Sequence, residues 1–72
     1  MYLTKNNSQI DRLINKKILV HLRIEEKIEG ILVGFDQFLN LTLQKSILMI
    51  GNKKKPMGTI FIRGSNINSI EQ

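Results

Sequence analysis

The chain contains no cysteine, which removes disulfides and thiolate metal sites and leaves the redox compartment open. Its one histidine, His21, has no second ligand or nucleophile at a useful spacing, so neither a metal centre nor a catalytic dyad can be assembled around it. An exposed strand position is expected for it. No residues form a nucleophile, base or metal constellation, so an enzyme is not expected and neither is a cofactor. No apolar run approaches the ~18 residues a membrane helix needs, and the N-terminus lacks the basic-then-apolar order of a signal peptide. The expectation is a soluble intracellular protein with no membrane partner.

Acidic residues are scarce in the second half. Residues 1–36 carry six Lys/Arg against five Asp/Glu, whereas residues 37–72 carry five against one, so nearly all of the net charge of +5 lies there. A basic balance favours polyanion partners, because neutralising phosphates releases counterions. An Ile, Lys and Asn bias of the kind that AT-rich codons favour competes as an account of that charge. Seventy-two residues make one domain, and a chain this short buries only about 60% of the surface its unfolded form exposes. Its core is small, which favours association.

Residues 1–7 show no period and read as a flexible arm. Ser8 is placed to cap a short α-helix over residues 8–15, with Asp11 at the capping-box position. Ile10, Leu13 and Ile14 form one apolar stripe. A helix this short is not stable alone, so it should lie across the open end of a sheet. Residues 16–70 supply five strands. Ile18, Val20 and Leu22 alternate with Leu19, His21 and Arg23 in the first, and residues 24–27 form a turn with Glu25 and Glu26 at its tip. In the second, Ile28, Gly30, Leu32 and Gly34 share one face. Glycine inside a strand marks a bend or a close backbone approach, and a bent strand of this length can serve both halves of a small barrel. The third strand runs from residue 38 or 39 to about 50. A loop over 51–56 holds Lys53, Lys54 and Lys55, which read as a solvated tip. The fourth covers 57–63, and a very short turn at Gly64-Ser65 leads to the fifth over 66–70. Met49 and Met57 read as core fillers. The fold class is mainly β: a short N-terminal α-helix followed by a strongly bent five-stranded antiparallel sheet that forms a small open barrel.

The last two strands present Ile60, Phe61 and Ile62, then Ile67 and Ile70, on expected sheet edges that neither Pro56 nor inward charge blocks. These five are the candidate subunit interface. Pairing of the fourth strand with the fifth of the next copy is head-to-tail, and such pairing closes into a ring when the rotation divides the circle.

The stretch from Gly30 to Leu43 carries the candidate site. Asp36 suits the first position of a tight turn, where its side chain bonds nearby backbone N–H groups. Phe38 and Asn40 lie two residues apart, and in an extended chain both project to one side while Leu39, Leu41 and Leu43 enter the core. An aromatic beside a carboxamide suits gripping a flat, hydrogen-bonding object such as a nucleobase. Each has a plainer reading as well, Phe38 as a core residue and Asn40 as a turn satisfier.

Gly30, the Gly34-Phe35-Asp36 corner and Asn40, followed by Ile62-Arg63-Gly64, resemble the two motifs of the Sm/Sm-like (LSm) family in order and spacing, over roughly residues 8–71. The resemblance implies the Sm fold over a single domain and a ring of seven different subunits on a uridine-rich single strand of spliceosomal small nuclear RNA. Within the family it points to the subunit type flanked by Sm E and an Sm D protein. It implies pre-mRNA splicing in the nucleus, with assembly in the cytoplasm. By position, Phe38 would stack on a base, Asn40 would bond its edge and Arg63 would contact the other face. The turn at Gly64 would let backbone N–H groups approach, and Asp36 would hold the corner rigid. A Sm-like ring acting in U6 RNA binding or mRNA decay, and a structural ring subunit with little RNA contact, stay open. So does a ring of identical copies when the chain is isolated.

Overall fold

The two predicted periodicities are realised where apolar side chains have a common side to bury. In the computed structural model, residues 2–3, 7–23 and 25–72 are described, with side chains from residue 10 onward except Ile24. The elements are β1 (Tyr2–Leu3), a 3-10 helix (Asn7–Leu13), β2 (Lys17–Leu22), β3 (Glu26–Phe35), β4 (Leu41–Ile50), β5 (Lys53–Ile62), a 3-10 turn (Gly64–Asn66) and β6 (Ile67–Glu71). They form one antiparallel sheet in the order β1-β6-β2-β3-β4-β5. The five expected strands are β2 to β6. Tyr2–Leu3 adds a sixth, paired with Glu71 and Ile70, where a flexible arm was expected.

The N-terminal helix is 3-10 rather than α. Its C-terminal bonds are of the i→i+3 type, Ile14 N–H to the Asp11 carbonyl at 3.4 Å and Lys16 N–H to that of Leu13 at 3.0 Å. Seven residues give an α-helix too few internal bonds to repay nucleation, and the tighter turn still buries Ile10 and Leu13 in the core. The Ser8 cap lies outside the described side chains. Asn15 N–H and the Lys16 carbonyl then bond to Leu32, at 2.7 and 3.1 Å, and hold the helix over the sheet.

The core gathers Ile18 and Val20 of β2, Ile28 and Leu32 of β3, Leu41 and Leu43 of β4, Ile62 of β5, and Ile67 and Ile70 of β6. Period-2 alternation along β3 is visible in the burial of Ile28, Gly30 and Leu32. Met49 is only half-buried and Met57 is exposed, so neither fills the core. The sheet stays open. Leu22, Ile28, Met57 and Ile60 line part of a cleft of about 410 Å³, and β1 and β5 are the sheet edges.

Three strands of ten residues each bend along one line. The β3–β4 register slips between Glu29 and Ile31 and again between Leu32 and Gly34, and the β4–β5 register slips on both sides of Ser46. Lys45 on β4 has φ +52° and Gly58 on β5 has φ +68°, left-handed values that mark bulges. Ser46 is buried between them and its hydroxyl donates to the Gly58 carbonyl at 2.7 Å. On β3 the crease falls at Gly30, where a Cβ would lie 3.2 Å from both the Gln44 carbonyl oxygen and Leu43 Cβ. Gly30 therefore answers to close approach, whereas at Gly34 the nearest atom is Thr42 Cβ at 4.0 Å.

Two expected loops are redrawn. Ile50 pairs with Lys53 across a two-residue turn in which Gly51 has φ +58°, so Lys53, Lys54 and Lys55 lie in β5 instead of a loop. β3 already begins at Glu26, which leaves Glu25 in the turn and Ile24 outside the described residues. His21 is half-buried, with Nε2 3.0 Å from Glu71 Oε1, because β6 covers the flank on which solvent was expected. Gly30→Ala is expected to lower stability by about 1–3 kcal/mol through crowding at the crease. Gly34→Ala should be neutral or slightly stabilising, since alanine is the less costly residue in a strand. Urea midpoints of the two variants check the contrast.

Candidate nucleic-acid interface

Asp36 ends β3, and its carboxylate organises the corner that follows. Oδ1 accepts the backbone N–H groups of Phe38 at 2.8 Å and Asn40 at 3.0 Å, while Oδ2 accepts Asn40 Nδ2–H at 2.8 Å. Backbone bonds close the loop, Leu39 N–H to the Asp36 carbonyl at 3.0 Å and Asp36 N–H to that of Asn40 at 3.2 Å. The Asn40 side-chain bond does most to hold the Asp36 pKa below its usual value; burial opposes it, and the backbone donors of Asn40 and Phe38 add to it. The carboxylate is thus ionised at neutral pH with its lone pairs aimed at the corner's own donors. These bonds fix the shape of the corner.

Leu39 sits at φ +58°, so the corner is a left-handed turn and not the start of a strand. The expected outcome survives by a different route. Leu39 is buried, and Phe38 is thrown outward at 71% exposure, which removes the reading of Phe38 as a core residue.

Asn40 reaches further than the turn. Its Oδ1 accepts the Gly64 N–H at 2.8 Å, which ties the β3–β4 corner to the β5–β6 turn 24 residues away. With a carboxylate on one side and an N–H donor on the other, the carboxamide can be oriented in only one sense. Gly64 is buried against the corner, and a Cβ there would overlap the Phe38 carbonyl oxygen and sit 3.0 Å from the Leu39 carbonyl. Its N–H is committed to Asn40, so the glycine permits the two loops to touch instead of offering a free donor. From the other side, Arg23 Nε–H donates to the Ser65 carbonyl at 2.7 Å.

The result is one open cavity of about 460 Å³ lined by Phe38, Asn40, Phe61, Arg63, Gly64 and Ser65. All four expected contact residues line it. Arg63 has extended backbone angles, φ −72° and ψ 134°, so it continues the line of β5 and projects to the same side as Phe61. Phe61 is 64% exposed. Sequence reasoning gave it to the subunit interface and did not find Arg23 or Ser65, whose contacts join residues 42 positions apart. The only hint for Phe61 was its spacing of two from Arg63.

The five expected interface residues divide. Ile62, Ile67 and Ile70 belong to the subunit's own core and Ile60 packs against it; only the Phe61 side chain faces outward. Pleat alternation turns the isoleucines inward, so a neighbour at β5 would meet the backbone edge instead of these side chains. Lys53, Lys54 and Lys55 line a separate cavity of about 560 Å³ with Leu48 and Ile50. Among the described residues no cluster of three His, Asp or Glu could hold a metal, and no helix is long and apolar enough to cross a membrane.

A barrel of this topology with a pocket at the junction of its two motif loops is an Sm-type domain. The family model for the LSM domain matches residues 8–72, and the chain belongs to that family. It is 34% identical over 62 residues to a probable small nuclear ribonucleoprotein G of Arabidopsis thaliana, covering 86% of this chain and 78% of the relative. It is also 34% identical over 62 residues to the LSM complex subunit lsm6 of Schizosaccharomyces pombe, covering 85% and 83%. Among solved structures, a heptameric archaeal Sm protein superposes with a TM-score of 0.84 at 35% identity, over 90% of this chain and 96% of the other. The Pyrococcus abyssii Sm protein in complex with a uridine heptamer gives 0.82 at 33%, over 86% and 89%.

Gly64→Ala should separate the two loops and lower stability by about 1–3 kcal/mol or more, read as a lower urea midpoint. Because the folded pKa of Asp36 is depressed, its contribution to stability is fully present above the unfolded value of about 3.9 and is lost as pH falls through the lower folded value. Asp36→Ala should remove this part of the acid dependence, measured by thermal unfolding from pH 6 downward.

Proposed function

We propose that this chain is the G-type Sm subunit of a heteroheptameric ring that holds uridine-rich single-stranded RNA in the core of spliceosomal small nuclear ribonucleoproteins. Its place of action is the nucleus, in pre-mRNA splicing, with Sm E and an Sm D protein as neighbours. The observation that carries the reading is the locked Asp36–Asn40–Gly64 junction, which fixes Phe38, Asn40 and Arg63 around one open cavity. Single-stranded RNA is read by stacking on aromatics and Arg planes with hydrogen bonds to base edges.

The chemistry of each residue supports the assignment. Phe38 offers an exposed ring and Arg63 a planar cation that stacks and attracts phosphate. Asn40 uses one Nδ2–H and one Oδ1 lone pair inside the protein, and a carboxamide carries two of each. The remaining donor and acceptor match the N3–H and adjacent carbonyl of uracil. Gly64 and Asp36 hold this geometry. One base held this way contributes on the order of 1–3 kcal/mol, so a single subunit binds weakly and a ring of pockets gains through effective concentration.

Ring formation follows from the edges. β5 presents an unpaired backbone edge over ten residues, and the opposite edge is β6 with the two-residue β1 laid on Ile70 and Glu71; adding β5 to that β1–β6 edge of the next copy is the head-to-tail contact that closes a ring. The similarity to a heptameric archaeal Sm protein supports this, as does similarity to a uridine-bound Sm protein for the ligand. The equal identity to lsm6 favours, as a second reading, a Sm-like ring in U6 RNA binding or mRNA decay with the same pocket and other neighbours.

Light scattering of the purified full chain, alone and mixed with E- and D-type Sm neighbours, with a uridine-rich oligonucleotide titrated in afterwards, tests the reading. A closed ring that binds the strand and weakens by about tenfold or more on Phe38→Ala with Arg63→Ala is expected. A ring that forms only with Sm-like neighbours would establish the second reading, and one whose affinity is unchanged in the double variant would leave only a structural subunit.

A further inference from the structure

We propose that the outer edge of β6 is an interaction surface with two alternative occupants: the chain's own strand β1, which closes it in the lone subunit, and β5 of a neighbour, which must displace β1 to join the ring. The inference rests on the ring reading above and deepens it by assigning a guard to one of the two edges. β1 pairs with β6 and with no other strand, Tyr2 opposite Glu71 and Leu3 opposite Ile70. β2 already occupies the other side of β6, with Leu19 opposite Glu71 and Val20 opposite Ile70. Each residue has one backbone N–H and one C=O to give, so at Ile70 and Glu71 β1 and an incoming β5 exclude each other.

The two edges of the sheet are guarded differently. Unpaired edges invite pairing with other chains, and charged side chains, above all lysine, or a covering segment blunt them. β5 carries Lys53, Lys54 and Lys55. β6 has no lysine; Ile67, Ser69 and Ile70 are buried, and Glu71, its one charged residue, is bonded to His21 of β2 at 3.0 Å. Its cover is β1, over the last two residues alone. Among the described residues no strand pairs with the outer side of 67–69, so an incoming strand has three residues on which to begin before it meets β1. It then gains a longer ladder than the two residues it displaces. Three residues separate Leu3 from Asn7, where the helix begins, so β1 is a tethered competitor with a high effective concentration. Its hold is independent of protein concentration, whereas that of a neighbour rises with it. The cover therefore keeps a dilute subunit closed and lowers the apparent affinity for a neighbour in proportion to the fraction of chains whose edge is free.

Two variants of the full chain test the competition, each measured by light scattering over a concentration series, with Sm neighbours present if the ring requires them. Tyr2→Pro with Leu3→Pro removes the backbone N–H groups of β1. It should tighten association about threefold to tenfold, the equivalent of one net backbone hydrogen bond. For the reverse, Tyr2→Cys with Glu71→Cys uses a chain that has no other cysteine. Facing residues of antiparallel strands lie about 4.5–5.5 Å apart between Cα atoms, inside the range a disulfide spans. Oxidised until its thiols are consumed, this variant should lose association by about tenfold or more, and reduction should restore it. Comparing the two redox forms cancels the loss of the Glu71 partner of His21. An oxidised form that assembles as readily as the reduced one, or a proline variant that associates no more tightly than the wild type, overturns the proposal. If neither the wild type nor the reduced variant forms a ring with copies or with Sm neighbours, the ring reading itself fails and this inference with it.

Discussion

The carboxamide of Asn40 is the joint on which the rest of the site depends. It links a carboxylate on one side to a backbone N–H on the other, and in doing so fastens two loops that the sheet alone would leave independent. The Asp36 corner is held by its own hydrogen bonds, and the joint fastens the Gly64 turn to it. Joined, they set the backbone positions from which Phe38 and Arg63 line one open cavity. Gly64 belongs to the same joint, since any side chain there would drive the loops apart.

The joint exists because the sheet is creased. β3, β4 and β5 are each ten residues long, and a flat sheet of that length would leave much of its apolar face in water. The line through Gly30, Lys45, Ser46 and Gly58 folds the sheet over onto itself, with a buried hydroxyl pinning the bend. Folding brings the β3–β4 corner and the β5–β6 turn to the same end of the barrel. The bend therefore serves burial and site assembly together.

Open edges give the same barrel its second property. A domain this small has few apolar residues to spare, and the isoleucines of β5 and β6 that read as sticky are used in its own core. What remains at the β5 edge is a ladder of unpaired backbone groups, which favours a partner strand over a patch of side chains. The basic charge of the second half lies at Lys45 on β4, at Lys53, Lys54 and Lys55 on β5, and at Arg63 just beyond it.

Much of the fold was legible in particular residues. The alternation from Ile18 to Leu22 and from Ile28 to Gly34 set strands and their buried faces, and Leu41 and Leu43 entered the core as their spacing required, while Leu39 reached it through a left-handed turn. The Asp36 corner and the Ile62-Arg63-Gly64 signature pointed to residues that line one cavity. The helix type, the pairing of Tyr2–Leu3 and the strand position of Lys53, Lys54 and Lys55 were not legible, since these turn on a few hydrogen bonds that local pattern does not rank. By itself the sequence determined the alternation that buries Ile18, Val20, Ile28, Leu32, Leu41 and Leu43 and the chemical types of group at the candidate site, because strand burial follows local period and chemistry follows residue type, whereas the burial of His21, Met49 and Met57 was decided by which strands cover them. Only the tertiary structure decided that Asn40 bonds Gly64, that Arg23 braces Ser65 and that Phe61 joins Phe38 and Arg63 in one cavity. Contacts between residues 24 and 42 positions apart depend on where the sheet folds, and no local stretch of sequence fixes that.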